Sequence, residues 1–278
     1  MSTENKNYPF IALGGKDGFL DTFAIGSRAK IVPRDQFKYD DELNVPVSFR
    51  GITKGNLIRN CWRDNRDFYF VDTGYFGNYV TKYNSKGLKR WHRVVKNNVQ
   101  HLGPVKPRPD DRWKTLVNEF PKLEWKGWKK DGSKILVVVP SEKPCKFYGI
   151  NAAEWLETTV QELKKYTKRK IVIRNKAPIR TERAVLNTIY DAMDDDIFAL
   201  VTYNSIAATE AVAYGIPAFA LAPNAASSVS LNDLSKIETP YYPDAEKVHN
   251  WCCYLAYGQF SVNELGDGTA WRLINEYD

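Results

Sequence analysis

The segment Phe198 to Leu221 constrains the fold of this chain more than any other stretch. Its apolar run, Phe198 to Val201, is short enough to be a buried parallel strand. The polar turn that follows, Thr202 to Ser205, ends in the residue types that helix N-caps prefer. An Ala-rich helix then reaches Gly215, which suits a C-terminal cap, and Pro217 prevents its continuation. The order strand, polar turn, helix, strand predicts a βαβ unit of an open α/β sheet.

The residues before this segment extend the same pattern. Strands are predicted at Lys134 to Val139 and Lys170 to Arg174, and helices at Asn151 to Tyr166 and Arg183 to Met193. This alternation predicts a parallel sheet with right-handed crossovers. In such a sheet, ligands bind at the carboxyl ends of the strands.

Several side chains of the second half fall at or near that predicted edge. Arg174 and Lys176 follow a strand, where two cations either meet a diphosphate or are ordinary surface charges. The start of the helix after Ser205 favours a phosphate, and Glu210 lies far enough along it to accept hydrogen bonds from ribose hydroxyls. The alternative is an ordinary βαβ unit with a well-capped helix.

In the first half, Asp72 follows the aromatic strand Phe68 to Val71 and precedes Thr73 and a glycine. This placement either presents a carboxylate at a ligand-binding edge or simply caps a turn. The turn Gly14-Gly15 follows a predicted strand, Tyr8 to Leu13. Its spacing lacks the dinucleotide-binding fingerprint, so it predicts a tight strand-to-helix turn that a substrate can approach closely.

Charge divides the chain into a basic and a mildly acidic half. Residues 1–133 carry 25 Lys and Arg against 15 Asp and Glu, whereas residues 134–278 carry 15 against 18. We therefore expect two domains with these bounds, the first of which holds an anionic partner.

The most basic stretch of the first half, Lys82 to Lys96, contains no acidic residue. Cations that neutralise phosphates and flat rings that stack on bases are typical of nucleic-acid surfaces. The stretch therefore predicts an acceptor or DNA surface, although a solvated basic loop with core Trp residues is the alternative. The candidate contacts are Lys89, Arg90, Trp91, His92, Arg93 and Lys96.

Other classes of function have little support in the sequence. The four Cys have neither zinc-ligand spacing nor a disulfide framework. Asp194, Asp195 and Asp196 precede a strand, at the edge opposite the ligand-binding one, so we expect no metal there. Without a run of about 20 apolar residues or a signal peptide, the chain is expected to be intracellular and not membrane-bound.

The run Ser205 to Pro217, S-x-A-A-x-E-A-x-x-x-G-I-P, resembles the donor-binding half of GT-B-type glycosyltransferases. The chain as a whole resembles a phage family that includes T-even-type enzymes, which are glycosyl- or arabinosyltransferases that modify hydroxymethylcytosine in DNA. This resemblance implies an α/β fold with two Rossmann-like domains facing a cleft. It also implies that a C-terminal helix crosses back, so that Trp271 to Ile274 pack against the first domain.

The resemblance further implies a reaction and its participants. A nucleotide-sugar donor, UDP-linked, would be held by Ser141, Arg174, Lys176, Asn204, Ser205 and Glu210. Asp72 would be the catalytic base, with no metal or other cofactor required. The acceptor would be a hydroxymethylated base of double-stranded DNA, flipped out of the stack. The enzyme would be a monomer in the cytoplasm of a phage-infected cell.

Two other functions remain open from the sequence. A glycosyltransferase that acts on a surface or lipid-linked carbohydrate would turn its basic half toward an anionic membrane. A non-enzymatic nucleic-acid-binding protein would have no need of the donor-like run Ser205 to Pro217.

Overall fold

The computed structural model describes residues 8–15, 18–77, 91–175 and 188–277. Its strands in chain order are β1 Ile11–Gly14, β2 Lys30–Pro33, β3 Val47–Arg50, β4 Phe68–Thr73, β5 His92–Lys96, β6 Lys134–Val138, β7 Lys170–Arg174, β8 Ile197–Thr202, β9 Ala218–Ala220 and β10 Gln259–Phe260. Its helices are α1 Gly18–Gly26, α2 Gly55–Arg63, α3 Asp111–Glu119, α4 Glu142–Tyr148, α5 Ala152–Tyr166, α6 Ile189–Met193, α7 Ala207–Ala213, α8 Ala245–Tyr257, α9 Val262–Gly266 and α10 Thr269–Tyr277.

The chain forms two compact units. Unit 1 consists of Met1–Gly74, Lys89–Val99 and Gly258–Asp278, and unit 2 of Tyr75–Leu88 and Gln100–Tyr257. This division differs from the contiguous domains 1–133 and 134–278 that charge suggests. Residues 100–133 belong to unit 2, and the tail of the chain belongs to unit 1.

Unit 1 contains a mixed six-stranded sheet of order β10-β5-β4-β3-β1-β2. Strands β1 to β4 are mutually parallel, whereas β5 runs antiparallel to both β4 and β10. The expected strands near Tyr8 to Leu13 and Phe68 to Val71 are present, within a few residues. Strand β3 was not predicted, and β5 lies where a DNA-binding stretch was expected.

Aromatic side chains hold the end of the chain to the first strands of unit 1. The ring of Trp271, on α10, lies 5.3 Å from each of the rings of Phe10 and Tyr69. Phe10 and Phe23 also stack on each other, at 5.2 Å. Such pairs stabilise a core beyond the area that they bury. This is the packing that the sequence predicts for Trp271 to Ile274.

Unit 2 contains an all-parallel sheet of order β7-β6-β8-β9. Every residue of β8 is buried, as its apolar run predicts, because a parallel sheet is covered on both faces. The predicted strands and helices of this half are found within a few residues of their expected bounds. Part of the predicted helix Arg183 to Met193 lies outside the described residues.

The turn between α7 and β9 has the conformation that its Gly-x-Pro sequence predicts. Gly215 has a φ of 82°, which favours glycine, and a Cβ there would overlap the carbonyl oxygen of Gly127. The N–H of Lys129 donates to the carbonyl of Gly215 over 2.7 Å. Residues 127–129 therefore pack within unit 2. The ring N–H of Trp128 also donates to the carbonyl of Pro243, over 2.8 Å.

The described residues bear on two features that the sequence does not predict, a disulfide framework and a membrane-spanning helix. All four cysteines are buried free thiols, in agreement with the absence of a disulfide framework. Within the described ranges, no helix combines the length and apolar character needed to cross a bilayer.

We predict that Gly26→Ala destabilises unit 1, because a Cβ at Gly26 would overlap the backbone of Leu265 and Gly266, where α1 meets α9. Overpacking of this kind costs about 1–3 kcal/mol of unfolding free energy, measured by urea denaturation. Gly18→Ala, at the other end of α1, is the matched control, since a Cβ there meets nothing within 4 Å. Equal stability of the two variants would contradict the close approach of the two helices.

Candidate functional site

The sheet of unit 2 has a topological switch point between β6 and β8. From β6 the chain moves outward to β7, and it then returns to the other side of β6 to form β8. The carboxyl edge of the strands at such a switch point is where α/β sheets bind ligands. The hydroxyl of Thr202 donates to the carbonyl of Val138 over 3.1 Å and joins the two strand ends.

Three of the predicted donor residues border this switch point. Ser141 follows β6 as the residue before α4, while Asn204 and Ser205 follow β8. The N–H of Ala207 donates to the side-chain oxygen of Ser205 over 3.2 Å, but the residue before the helix is Ile206, so Ser205 lies one residue ahead of the N-cap position that the sequence predicts for it. The helix α7 that follows has only seven residues, fewer than the sequence predicts.

Buried amide side chains fix the loop after β8. Gln100 donates to the carbonyl of Asn204 over 2.9 Å and accepts from the N–H of Ala225 over 3.0 Å. Asn224 donates to the carbonyl of Ser205 over 3.0 Å. Both amides are at most 5% exposed. Neither role can be predicted from the sequence, because a single Gln or Asn in a loop gives no sign that its side chain will bond to backbone groups distant in sequence.

Charged side chains lie on the elements on both sides of the switch point, at the end of β7 and on α7. Arg174 ends β7 at the same edge, and partial burial lowers its pKa, while the nearby carboxylates of Asp191 and Glu210 act to raise it. Glu210 is only 7% exposed on α7. A guanidinium kept beside two carboxylates is charged at every physiological pH and can meet a phosphate. Lys176, the other predicted cation, lies outside the described residues.

The three consecutive acids, Asp194 to Asp196, lie at the amino end of β8 and pair with protein groups. The carboxylate of Asp194 accepts hydrogen bonds from Tyr214 and Lys122. Asp195 pairs with Lys134 at 2.8 Å, and Asp196 with the hydroxyl of Ser133. Among the described residues, no three His, Cys, Asp or Glu side chains are grouped as metal ligands would be.

Asp72 lies at the carboxyl end of β4 in unit 1, as predicted. One of its carboxylate oxygens accepts from the N–H of Thr73 over 2.8 Å, and the other lies 3.4 Å from the guanidinium of Arg93. The side chain is 30% exposed, whereas Arg93 is 8% exposed. These contacts fit a turn that is capped and ion-paired, and they leave part of the carboxylate accessible to a ligand.

The predicted acceptor surface differs from what the structure places there. Trp91, His92 and Arg93 are all buried, at 7%, 1% and 7% exposure. Arg93 also donates to the carbonyls of Thr73 and Val99. Burial of these rings and this guanidinium corrects the expectation that they form an exposed surface. Lys96 is exposed, whereas Lys89 and Arg90 lie outside the described residues.

Unit 1 has a cavity of its own that the sequence analysis identified only in part. It has a volume of about 700 Å³ and lies at the carboxyl ends of β1, β2 and β3. Gly14 and Gly15 border it, as expected of a turn that a substrate can approach. The cations Arg34, Arg50 and Lys54 also border it, and they come from separate segments whose approach no local pattern reveals.

Two solved structures share the fold of this chain over most of its length. The chain is similar to two sugar transferases of known structure. One is described as Thermosulfurimonas dismutans KpsC, beta Kdo 2,4 transferase, with 10% identity and a TM-score of 0.55 over 93% of this chain and 98% of that chain. The other is the beta Kdo 2,7 transferase of the same KpsC, with 12% identity and a TM-score of 0.54 over 97% and 99%.

These similarities show the fold and leave the reaction to be argued from the residues. No protein-family model matches the chain, and no curated protein matches it either. The α/β class predicted from the sequence is confirmed, with one mixed and one parallel sheet.

We predict that Gln100→Leu lowers the unfolding free energy by about 3 kcal/mol, because the Asn204 carbonyl and the Ala225 N–H lose a buried partner, each costing roughly 1–3 kcal/mol. Chemical denaturation followed by Trp fluorescence measures the change. Gln161→Leu is the control, since Gln161 is exposed on α5 and its side chain donates to the neighbouring Glu157 over 3.2 Å. If both variants are equally stable, the bridge by Gln100 does not hold these loops.

Proposed function

We propose that this chain is a glycosyltransferase that moves a sugar from a nucleotide-sugar donor to a carbohydrate acceptor. The observation that carries the proposal is its similarity, over almost its full length, to two Kdo transferases. The switch point of unit 2 supports it independently. Ser141, Arg174 and Ser205 all lie at the edge where an α/β sheet binds a nucleotide.

A carbohydrate acceptor is favoured over hydroxymethylated DNA. Both similar structures are described as Kdo transferases, which fits a carbohydrate acceptor better than DNA. Three of the six side chains expected to bind DNA are buried. The described residues therefore give the DNA hypothesis no support. The UDP-linked donor, the monomeric state and the absence of a metal requirement stay predictions.

The proposed reaction needs groups that stabilise the leaving phosphate of the donor and a base that accepts the proton of the acceptor hydroxyl. The acceptor hydroxyl forms a bond to the anomeric carbon, the bond from that carbon to the nucleotide phosphate breaks, and the hydroxyl proton goes to a base. The guanidinium of Arg174 and the hydroxyls of Ser141 and Ser205 would stabilise the leaving phosphate. Asp72 stays the candidate base, since part of its carboxylate is accessible.

The donor site can be tested with a panel of UDP- and CMP-sugars in thermal unfolding. A ligand at about 100 times its Kd stabilises the folded protein by about 2.7 kcal/mol, which raises Tm by several degrees. Arg174→Ala should weaken the binding of that nucleotide-sugar roughly 10-fold or more, because it removes a charge-assisted contact. Ser205→Ala should weaken it less.

Lys170→Ala is the matched control for Arg174→Ala. Lys170 is an exposed cation on the same strand, but it lies at the opposite, amino edge of the sheet. It should leave nucleotide-sugar affinity unchanged in calorimetry. If no sugar nucleotide stabilises the protein, or if the Arg174 and Lys170 variants lose affinity equally, the proposed donor site is wrong.

We predict that Asp72→Asn reduces turnover roughly 100-fold or more if Asp72 is the base, because the amide cannot accept the hydroxyl proton. Nucleotide-sugar affinity should not change. Asn keeps an oxygen for the N–H of Thr73, and the buried guanidinium of Arg93 keeps the carbonyls of Thr73 and Val99 as acceptors, so the fold should hold although the ion pair is lost.

Asp67→Asn is the control for this experiment, because Asp67 is exposed just before the amino end of β4 and contacts Asn97 at 2.6 Å. Turnover is measured with the nucleotide-sugar that binds and a panel of oligosaccharides. Near wild-type turnover in the Asp72 variant would assign Asp72 to its turn and its ion pair with Arg93.

A further inference from the structure

The cavity of unit 1 lies outside the donor site proposed above. It is formed where three parallel strands end: Gly14 is the last residue of β1, and Arg50 is the last residue of β3. Its volume of about 700 Å³ is within the range of pockets that bind small ligands.

The charged side chains around this cavity have a positive balance. Among the described residues that line it, Arg34, Arg50 and Lys54 carry positive charge and Asp35 carries negative charge. The carboxylate of Asp21, which accepts from the N–H of Gly15 over 2.7 Å, lies at its border. Cations focused in a concave site attract an anion, and an Arg fork matches the two oxygens of a carboxylate or phosphate.

The position of Arg50 is fixed by its neighbours. Its guanidinium lies 4.6 Å from the ring centre of Phe19, and the ring of His92 lies 4.1 Å from that of Phe19 on α1. Gly51 follows with a φ of 79°, which lets the chain turn so that Lys54 also reaches the cavity. A guanidinium that is already oriented loses less conformational entropy when it binds an anion.

The segment after β2, which carries Arg34 and Asp35, leads into a loop that is also anchored. The guanidinium of Arg66, 5% exposed, donates to the carbonyls of Tyr39, Glu42 and Val45 at 2.6–3.1 Å. Three contacts from one buried cation hold the later part of this loop against the unit.

We propose that this cavity binds the anionic group of the acceptor, which is therefore a carbohydrate that carries a carboxylate or a phosphate. The three cations would hold the anion, while Asp35 and Gln36 provide hydrogen-bond partners for sugar hydroxyls. Leu13 and Leu20 offer apolar surface to the C–H face of a sugar ring. The name acceptor rests on the proposed glycosyltransferase function, whereas the binding of an anionic sugar does not.

The experiment is calorimetric titration of the full chain with glucuronate, glucose 6-phosphate and glucose. Glucuronate carries a carboxylate and glucose 6-phosphate a phosphate, so the two separate the possible anions. At least one of them should bind at millimolar concentration, and glucose should bind at least roughly tenfold more weakly. Equal affinity for charged and neutral sugars, or no binding of either charged sugar, overturns the proposal.

Variants then locate the binding. Arg50→Ala and Arg34→Ala should each weaken the charged sugar roughly tenfold or more, and Arg34 is exposed, so its variant covers the case in which Arg50→Ala fails to fold. Arg63→Ala should leave the affinity for the charged sugar unchanged, because Arg63 is at the far end of α2, about 13 Å from Lys54 along the helix axis. Loss of affinity in the Arg63 variant, or none in the other two, overturns the assignment.

Nucleotide-sugar binding, measured on the same proteins, separates this inference from the proposed function. Arg34→Ala should leave nucleotide-sugar affinity unchanged. If no nucleotide-sugar binds but the charged sugar does, the proposed function fails and the anion site stands. If a nucleotide-sugar displaces the charged sugar from the cavity, the cavity belongs to the donor and this inference is wrong.

Discussion

The pairing of β6 with β8 is the constraint on which unit 2 depends. Both strands carry apolar side chains on both faces, so their backbone N–H and C=O groups can be satisfied only within the sheet. Strands buried in this way present polar chemistry only where they end. The positions of Ser141, Asn204 and Ser205 follow from this, since each comes within a few residues of the last apolar position.

The sequence predicts the elements of unit 2 well and those of unit 1 incompletely, because the signals differ in range. Apolar runs, N-caps and Gly-x-Pro turns are local, and they place β6 to β9 within a residue or two. Strand β5 depends on partners distant in sequence. Arg93 is buried in it, where the carbonyls of Thr73 and Val99 accept hydrogen bonds from its guanidinium. The cavity cations, Arg34 and Arg50, are likewise brought together by the fold and by no local pattern.

The basic balance of the first half has a partly internal explanation. Arg66 donates to three backbone carbonyls, and Arg112 donates to the carbonyl of Ala256 over 3.1 Å. A guanidinium can satisfy several carbonyls at once because its donors form a rigid fork. Such residues add positive charge to the composition without offering it to a partner. The charge count of the first half therefore overestimates the positive surface that is available to a nucleic acid. The cations that line the cavity of unit 1 are only a few of those counted.

The discontinuity of unit 1 has a consequence for its biosynthesis. Its sheet gains β10 from the last 20 or so residues of the chain, and α9 and α10 pack on α1, near the start. Residues 258–277 are synthesised after residues 100–257, so β5 gains β10 as a neighbour only after the long segment of unit 2 has been made. Residues 100–257, by contrast, emerge as one block and can collapse earlier. Contacts between segments this far apart in sequence also close a long loop, which slows folding. Unit 1 thus completes its sheet later than unit 2 does.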